Sequence, residues 1–281
     1  MGHDGSAIGE LWFERSTAGA PDPALLLKLL FTEVPLSIQV HPDDAFAQSL
    51  GLPNGKTEAW YVLSTAKGAR LGLGLKRDLT PPQLRAAINH GSIADLVNWQ
   101  DVAADEAVLV PAGTIHAIGG GVVIAEIQQR GDTTFRLFDH GSQRELHVDG
   151  AVGASLASQS VSRTGPVLLS DARRMMARSP YFILEQVDLA PNSHWELNAL
   201  GEVWVLMVEA RLPLISPSWA SGRRCSSRAS VPDCERPSAA RRPWSPMSAM
   251  SHCQACYKAE TPYRWSRWRS ARGCIGAASC R

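Results

Sequence analysis

Short apolar stretches separated by turn residues recur through the first 209 residues, and this spacing most constrains the fold. The stretches are ELWFE (10–14), LSIQV (36–40), EAWYVL (58–63), ARLGLGL (69–75), AVLVPAG (107–113), VVIAEIQQ (122–129), TTFRLFD (133–139), YFILEQVDL (181–189) and GEVWVLMVE (201–209). Each is long enough for one β-strand and too short for most helices. Many short strands with turns between them are typical of a β-sandwich or a jelly-roll barrel, so we expect a mainly β protein.

Three segments instead predict helices. DPALLLKLLF (22–31) is read as a short helix with Pro23 near its first turn. TPPQLRAAINHG (80–91) has Thr80 as a candidate N-cap, a proline at the first helical position and Gly91 as its end. SIADLVNW (92–99) predicts a second short helix. The last two would form a small helical insert over about 79–99.

Charge and cysteine are divided unevenly along the 281 residues. Residues 1–210 contain 15 Lys and Arg against 24 Asp and Glu, whereas residues 211–281 contain 13 against 3 and all six cysteines. The cysteine-free body and the absence of a signal peptide or a long apolar run predict a cytoplasmic protein that does not enter a membrane. The body has no basic patch with interleaved aromatic residues, so we expect no nucleic-acid partner.

Polar side chains on one face of the LSIQV strand predict a metal site. Side chains alternate along a strand, so Gln39 and His41 share a face with Ser37 while the apolar residues between them face the other way. Glu58 begins the next strand, and His116 follows a proline-glycine turn. Two imidazoles, a carboxylate and an amide oxygen are suitable ligands for a zinc-type divalent cation. The alternative is that Glu58 is an ordinary carboxylate at a strand start.

Four blocks of sequence carry a resemblance to a known family. They are PLSIQVHPDD (35–44), GKTEAWYVL (55–63), VPAGTIHAIG (110–119) and AEIQQRGDTTFRLFD (125–139). In order and content they resemble the signature blocks of the bacterial type I mannose-6-phosphate isomerases, and the turn before His116 resembles the second cupin motif. The resemblance runs from about residue 9 to about residue 209. It implies a cupin jelly-roll β-barrel and a zinc-dependent enzyme, with one cation per chain, that interconverts mannose 6-phosphate and fructose 6-phosphate in carbohydrate metabolism.

The resemblance also implies roles for individual residues. Gln39, His41, Glu58 and His116 would be the metal ligands, and Arg136 falls at the catalytic arginine of the family. Lys56 matches a lysine of the cleft, where it would carry a proton if burial lowers its pKa or would bind the phosphate group. Ser37 falls at a position that holds phosphate. The alternative for Arg136 is a surface arginine paired with Asp132 or Asp139.

The domain organisation follows from the same blocks. We expect a catalytic cupin barrel over 1–150, a linker over 151–178 and the start of a second, incomplete cupin-like half over 179–209. Residues 210–281 are rich in Arg, Ser and Cys and lack strand or helix periodicity. This tail is expected to be disordered or the product of a frameshift. A non-catalytic sugar- or metal-binding cupin, derived from the enzyme, is therefore the alternative function.

Overall fold

The computed structural model describes residues 8–14, 20–142, 144–157, 163, 165–191, 193, 195–199, 201–210 and 271–279. Fifteen strands are found in these residues, in chain order β1 Glu10–Phe13, β2 Leu25–Thr32, β3 Ile38–Val40, β4 Glu58–Thr65, β5 Arg70–Leu75, β6 Val97–Asp101, β7 Ala107–Val110, β8 His116–Ile118, β9 Val122–Gln129, β10 Phe135–Phe138, β11 Val167–Ser170, β12 Arg173–Arg178, β13 Phe182–Val187, β14 Val203–Ala210 and β15 Ala271–Ser279. Four helices accompany them, α1 Asp44–Ser49, α2 Pro81–Asn89, α3 Ile93–Leu96 and α4 Val148–Ala154. None of the helices in these ranges is long and apolar enough to cross a membrane.

The strands form three five-stranded antiparallel sheets. The spatial orders are β1-β2-β9-β4-β7 in the first sheet, β10-β3-β8-β5-β6 in the second, and β11-β12-β13-β15-β14 in the third. The first two sheets face each other and share a buried core that includes Trp60 and Ile124 from one and Leu71 and Leu73 from the other. These two sheets are the barrel predicted from the sequence.

Each barrel sheet also buries its outer face. Ile38 and Val40 of the second sheet pack against α2 and α4 through residues such as Leu84 and Ala151. The first sheet packs against the third sheet, where Phe182 is fully buried. Because Ile38 and Val40 point to the helices, the residue between them, Gln39, must face the barrel interior.

The apolar part of DPALLLKLLF lies in the strand β2, Leu25–Thr32, so the prediction of a helix over 22–31 is wrong. β2 lies between β1 and β9 in the first sheet. Leu27 and Leu29 pack toward the third sheet while Lys28 and Leu30 are buried on the barrel side. A strand buried on both faces lacks the alternation of a half-exposed strand, and its pattern cannot be told from that of a buried helix.

The helical insert is partly confirmed. α2 begins after Thr80, whose side chain takes part in a capping box with Gln83, and it ends before Gly91. The second helix is shorter than predicted, since α3 ends at Leu96 and β6 follows directly. Trp99 pairs across the sheet with Gly72 of β5, so tertiary pairing outweighs the helical preference of this segment.

The segment predicted as a linker contains regular secondary structure. The segment 151–178, expected to be a linker, contains the end of α4 and the strands β11 and β12, which pair with each other and with β13. Within the predicted tail, Ala271–Ser279 is a strand rather than disordered chain because its backbone pairs with both β13 and β14. Residues 211–270 lie outside the described residues, so the prediction for them stays a prediction.

Candidate metal centre

Four predicted ligand side chains come from three strand ends inside the barrel. Gln39 lies in β3 and is paired with His116, the first residue of β8. His41 directly follows β3, and Glu58 is the first residue of β4 in the opposite sheet. The site therefore lies between the two barrel sheets, where strand alternation turns each of these side chains inward.

The turn before His116 joins two of the segments. Thr114 N–H donates to the Pro111 carbonyl at 3.1 Å, and Gly113 N–H donates to the His41 carbonyl at 2.8 Å. Gly113 has φ +83°, and a Cβ there would meet Cγ of Leu156 at 2.8 Å. Both the left-handed backbone and the close approach require glycine at this position. The turn thus fixes His116 relative to His41.

Three ligand atoms converge closely in the barrel interior. One ligand atom from each of His41, Glu58 and His116 lies within 4.8 Å of the other two. His41 Nε2 is 3.4 Å from one Glu58 oxygen and His116 Nε2 is 3.3 Å from the other. All three residues are at most 1% exposed. The side-chain amide of Gln39 joins them, with Nε2 3.2 Å from His116 Nε2.

The far nitrogens of both imidazoles are held by backbone carbonyls. His41 Nδ1 is 2.9 Å from the Thr133 carbonyl, and His116 Nδ1 is 2.9 Å from the Thr114 carbonyl. A carbonyl can only accept, so each Nδ1 donates its proton and each Nε2 is left with its lone pair directed into the site. Metal-binding histidines in proteins are oriented in this way.

Burial sets the charge states of these groups. Desolvation lowers the pKa of both histidines, to about 4 for His116, so the imidazoles are neutral near pH 7. Burial opposes ionisation of Glu58 as well, but the positive charge of Lys56 is the largest of the influences that outweigh burial and hold the Glu58 pKa well below its usual value. Neutral imidazoles beside an ionised carboxylate are the forms that bind a divalent cation.

The Glu58 carboxylate tests whether a cation fits this set. Neither of its oxygens has a well-aligned hydrogen bond to the described residues, although Lys56 Nζ lies 3.0 Å from one of them. Buried carboxylates in native proteins nearly always have partners. Two carboxylate oxygens without hydrogen bonds, each near an imidazole nitrogen, therefore fit a bound cation, as do the ligand types themselves.

Lys56 lies beside the cluster and is 5% exposed. Its Nζ is 3.2 Å from His41 Nε2 and 3.8 Å from a carboxylate oxygen of Glu126. Burial by itself would lower the Lys56 pKa, but the charges of Glu58 and Glu126 outweigh burial and raise it. The hypothesis that Lys56 carries a proton requires a lowered pKa, whereas these surroundings raise the Lys56 pKa.

Ser37 and Arg136 lie at the edge of the same cluster. Ser37 is buried, with Oγ 3.4 Å from Gln39 Oε1. Arg136 lies in β10 directly opposite Gln39. Its Nη1 donates to the Glu145 carbonyl at 2.7 Å, while its buried Nε has no partner among the described residues. The two carboxylates considered as its partners pair elsewhere, Asp132 with Lys28 and Asp139 with Arg144.

Sequence reasoning missed three buried polar residues of the barrel interior. Glu126 and Gln128 lie on β9, and Lys28 lies opposite Glu126 on β2. Burial, followed by the charge of Glu58, raises the pKa of Glu126 to about 7. One Glu126 oxygen lies near Lys56, as described above, and the other accepts a hydrogen bond from Trp60 Nε1 at 3.1 Å. The signal was present in VVIAEIQQ, where Glu126 and Gln128 occupy alternate positions of an otherwise apolar strand.

Comparison with known proteins confirms the predicted resemblance. No family model matches the sequence. The chain is 36% identical over 167 residues to a mannose-6-phosphate isomerase of Streptococcus mutans, covering 56% of this chain and 52% of that protein. It is 35% identical over 161 residues to mannose-6-phosphate isomerase ManA of Bacillus subtilis, covering 53% and 51%. The chain thus spans about half the length of the curated relatives that it matches.

Solved structures confirm the fold. The crystal structure of the mannose 6-phosphate isomerase of Bacillus subtilis superposes with a TM-score of 0.56 at 28% identity, covering 63% of this chain and 59% of that one. A variant of phosphomannose isomerase from Salmonella typhimurium matches with a TM-score of 0.52 at 18% identity, covering 67% and 68%. The prediction of a mainly β cupin fold is therefore correct.

Proposed function

We propose that this chain is a zinc-dependent aldose–ketose isomerase that interconverts mannose 6-phosphate and fructose 6-phosphate. The proposal depends above all on the buried cluster of His41, Glu58 and His116, whose ligand atoms lie within 4.8 Å of one another and in which neither Glu58 oxygen makes a hydrogen bond to the described residues. Similarity to mannose-6-phosphate isomerases over about half of their length supports the choice of substrate. The absence of cysteine from residues 1–210 supports a reaction in the cytoplasm.

His41, Glu58 and His116 would hold the cation, and rotation of the Gln39 amide by half a turn would bring its oxygen to the same point. Oxygen and nitrogen of an amide are nearly equal in size, so this rotation requires only that the Ser37 hydroxyl change from donor to acceptor. A bound divalent cation would polarise the carbonyl and hydroxyl oxygens at C1 and C2 of the sugar. The Nδ1 hydrogen bonds keep both imidazoles oriented while substrate enters and leaves.

Charged side chains around the cluster suit an anionic substrate and intermediate. Isomerisation moves a proton between C1 and C2 through an enediolate, whose oxygen carries negative charge. Arg136 stays charged throughout and lies opposite Gln39, so we assign it to stabilisation of that charge. Lys56 remains protonated beside Glu58 and contributes in the same sense. Ser37 would bind phosphate. Glu126, whose pKa is raised to about 7 by burial and then by the charge of Glu58, is the described interior group that we assign to carry the proton.

A coupled isomerase assay on the full chain tests the proposal directly. We expect turnover of mannose 6-phosphate with added zinc and its loss on addition of a chelator. Arg136→Ala should lower kcat by several orders of magnitude while the bound metal stays near one per chain, because Arg136 does not touch the metal-binding atoms. Metal and sugar phosphate binding without any turnover would instead identify a non-catalytic binding cupin.

A further inference from the structure

Hydrogen bonds hold the backbone on both sides of Lys56. One carboxylate oxygen of Asp44 accepts the Gly55 N–H at 2.8 Å, and Gln129 Oε1 accepts the Thr57 N–H at 2.8 Å. The N–H of Lys56 itself donates to the Pro42 carbonyl at 3.0 Å. Three consecutive amides are thus bonded, each to a different acceptor.

Asp44 connects these bonds with each other and with the third sheet. The oxygen that accepts from Gly55 also accepts from Gln129 Nε2 at 3.0 Å. Its other oxygen accepts the hydroxyl of Tyr181 at 2.9 Å. Tyr181 directly precedes β13 of the third sheet, whereas Asp44 begins α1 of the barrel. The set formed by Tyr181, Asp44 and Gln129, which we call the Asp44 relay, therefore joins the second half of the chain to the Lys56 backbone.

The space around Gly55 leaves this backbone little freedom. A Cβ on Gly55 would lie 2.5 Å from the Pro42 carbonyl oxygen, so the two segments are in direct contact. Thr57 and Gln129 are each 5% exposed. Hydrogen bonds in such dry surroundings are costly to leave unmade, and loss of one acceptor leaves a buried N–H without a partner.

Accurate placement matters for a lysine in this position. Lys56 has a flexible four-carbon side chain, yet its Nζ lies 3.0 Å from Glu58 and 3.2 Å from His41. A fixed backbone narrows the range of positions available to Nζ, and errors of about 1 Å in a reacting group can cost about 100-fold in rate.

We propose that the Asp44 relay positions Lys56, and that the second half of the chain contributes to the barrel site through the Tyr181 hydroxyl. Tyr181, Asp44 and Gln129 are positioning residues in this account and touch neither metal nor substrate. The effect of the Asp44 relay on catalysis depends on the proposed isomerase function, whereas its ordering of the Lys56 backbone does not.

Tyr181→Phe tests the relay because it removes one hydroxyl and leaves the ring in place. Tyr61→Phe is the matched control, since the Tyr61 hydroxyl bonds Asp105 and Gln186 at the same sheet contact but not the relay. Amide hydrogen exchange of residues 52–58 should accelerate severalfold in Tyr181→Phe and remain unchanged in Tyr61→Phe. Asp44→Ala, which removes both acceptor oxygens, should accelerate it further.

Kinetics provide the second measurement. If the chain is an isomerase, Tyr181→Phe should lower kcat about three- to tenfold, with unchanged metal content and a smaller effect on KM. An inactive wild-type chain would refute the proposed function while the exchange experiment still tests the relay. Unchanged exchange at residues 52–58, or equal acceleration across the barrel in both variants, would overturn the positioning role.

Discussion

Glu58 is the residue on which the candidate metal centre depends most. It is the only carboxylate of the three-residue cluster, and it comes from the sheet opposite both histidines. Glu58→Gln keeps the shape of the side chain but removes its charge. Loss of a group that only hydrogen-bonds to a metal ligand typically lowers metal affinity roughly 10–100-fold. Because Glu58 is itself a proposed ligand, we expect the affinity to fall by more than this. Calorimetric titration with zinc measures this directly.

A charge-matched control separates the ligand from general electrostatics. Glu106→Gln removes the same charge from a partly exposed carboxylate that pairs with Arg163. Its zinc affinity should equal that of the wild-type chain. If Glu58→Gln also bound zinc as tightly as the wild-type chain, the Glu58 carboxylate would not be a ligand, whatever its geometry.

Sequence reasoning selected the residues of the candidate metal centre because each lies where the pattern is simplest. Gln39 and His41 alternate with apolar neighbours, and Glu58 and His116 begin strands after recognisable turns. Lys28 could not be found in this way, because it lies in a run of leucines that gives no sign of which face is buried. Nor could the sequence show that Glu126 adds to Glu58 in raising the Lys56 pKa, since Glu126 lies on a different strand, far from Lys56 in the chain.

At the scale of elements, the turn before β8 controls where His116 enters the barrel. Gly113→Ala should destabilise the chain by about 2 kcal/mol or more, because it combines left-handed backbone strain with a clash against Leu156. Gly68→Ala is the matched control, with φ +79° and no atom within 4 Å of the added Cβ. Urea unfolding of both variants should show the larger loss at Gly113, and zinc affinity should fall only there. Equal losses would mean that Leu156 moves aside at little cost.

Element type followed from the sequence wherever one face of the element is exposed. α2 was correct because capping by Thr80 and the 3.6-residue period agree. β2 was misread because both of its faces are buried, and β6 because its pairing with β5 is a tertiary feature. β11 and β12 were taken for a linker; β11 is the short run VLLS at a sheet edge, exposed throughout, and it has no alternation of apolar and polar residues to mark it as a strand.

At the scale of the whole molecule, the third sheet packs directly against the barrel. It covers the outer face of the first sheet through Phe182 and its neighbours. Polar bonds add to this contact, including those from the Ala24 and Leu25 amides to Glu202 and from Tyr181 to Asp44. Stability of the second half and order in the site are therefore coupled through one interface.

This coupling predicts a pH dependence in the alkaline range. Burial, then the hydrogen bond and charge of Asp44, raise the pKa of Tyr181 above its usual value of 10.0. The protonated hydroxyl therefore stabilises the fold fully below about pH 10, and this contribution is lost as the pH rises toward the raised folded-state pKa. The difference in unfolding free energy between wild type and Tyr181→Phe should be constant from pH 7 to 9 and shrink above pH 10, by at most about 1.4 kcal/mol per pH unit. Urea unfolding at each pH gives the difference, and the other titrating groups cancel because both proteins share them.

In an Asp44→Asn background the decline should be smaller, since the carboxylate charge that raises the Tyr181 pKa is gone. A difference that stays constant to pH 11 would mean that the Tyr181 hydroxyl does not donate to Asp44 in solution, and the link between the two halves would then depend on apolar packing alone.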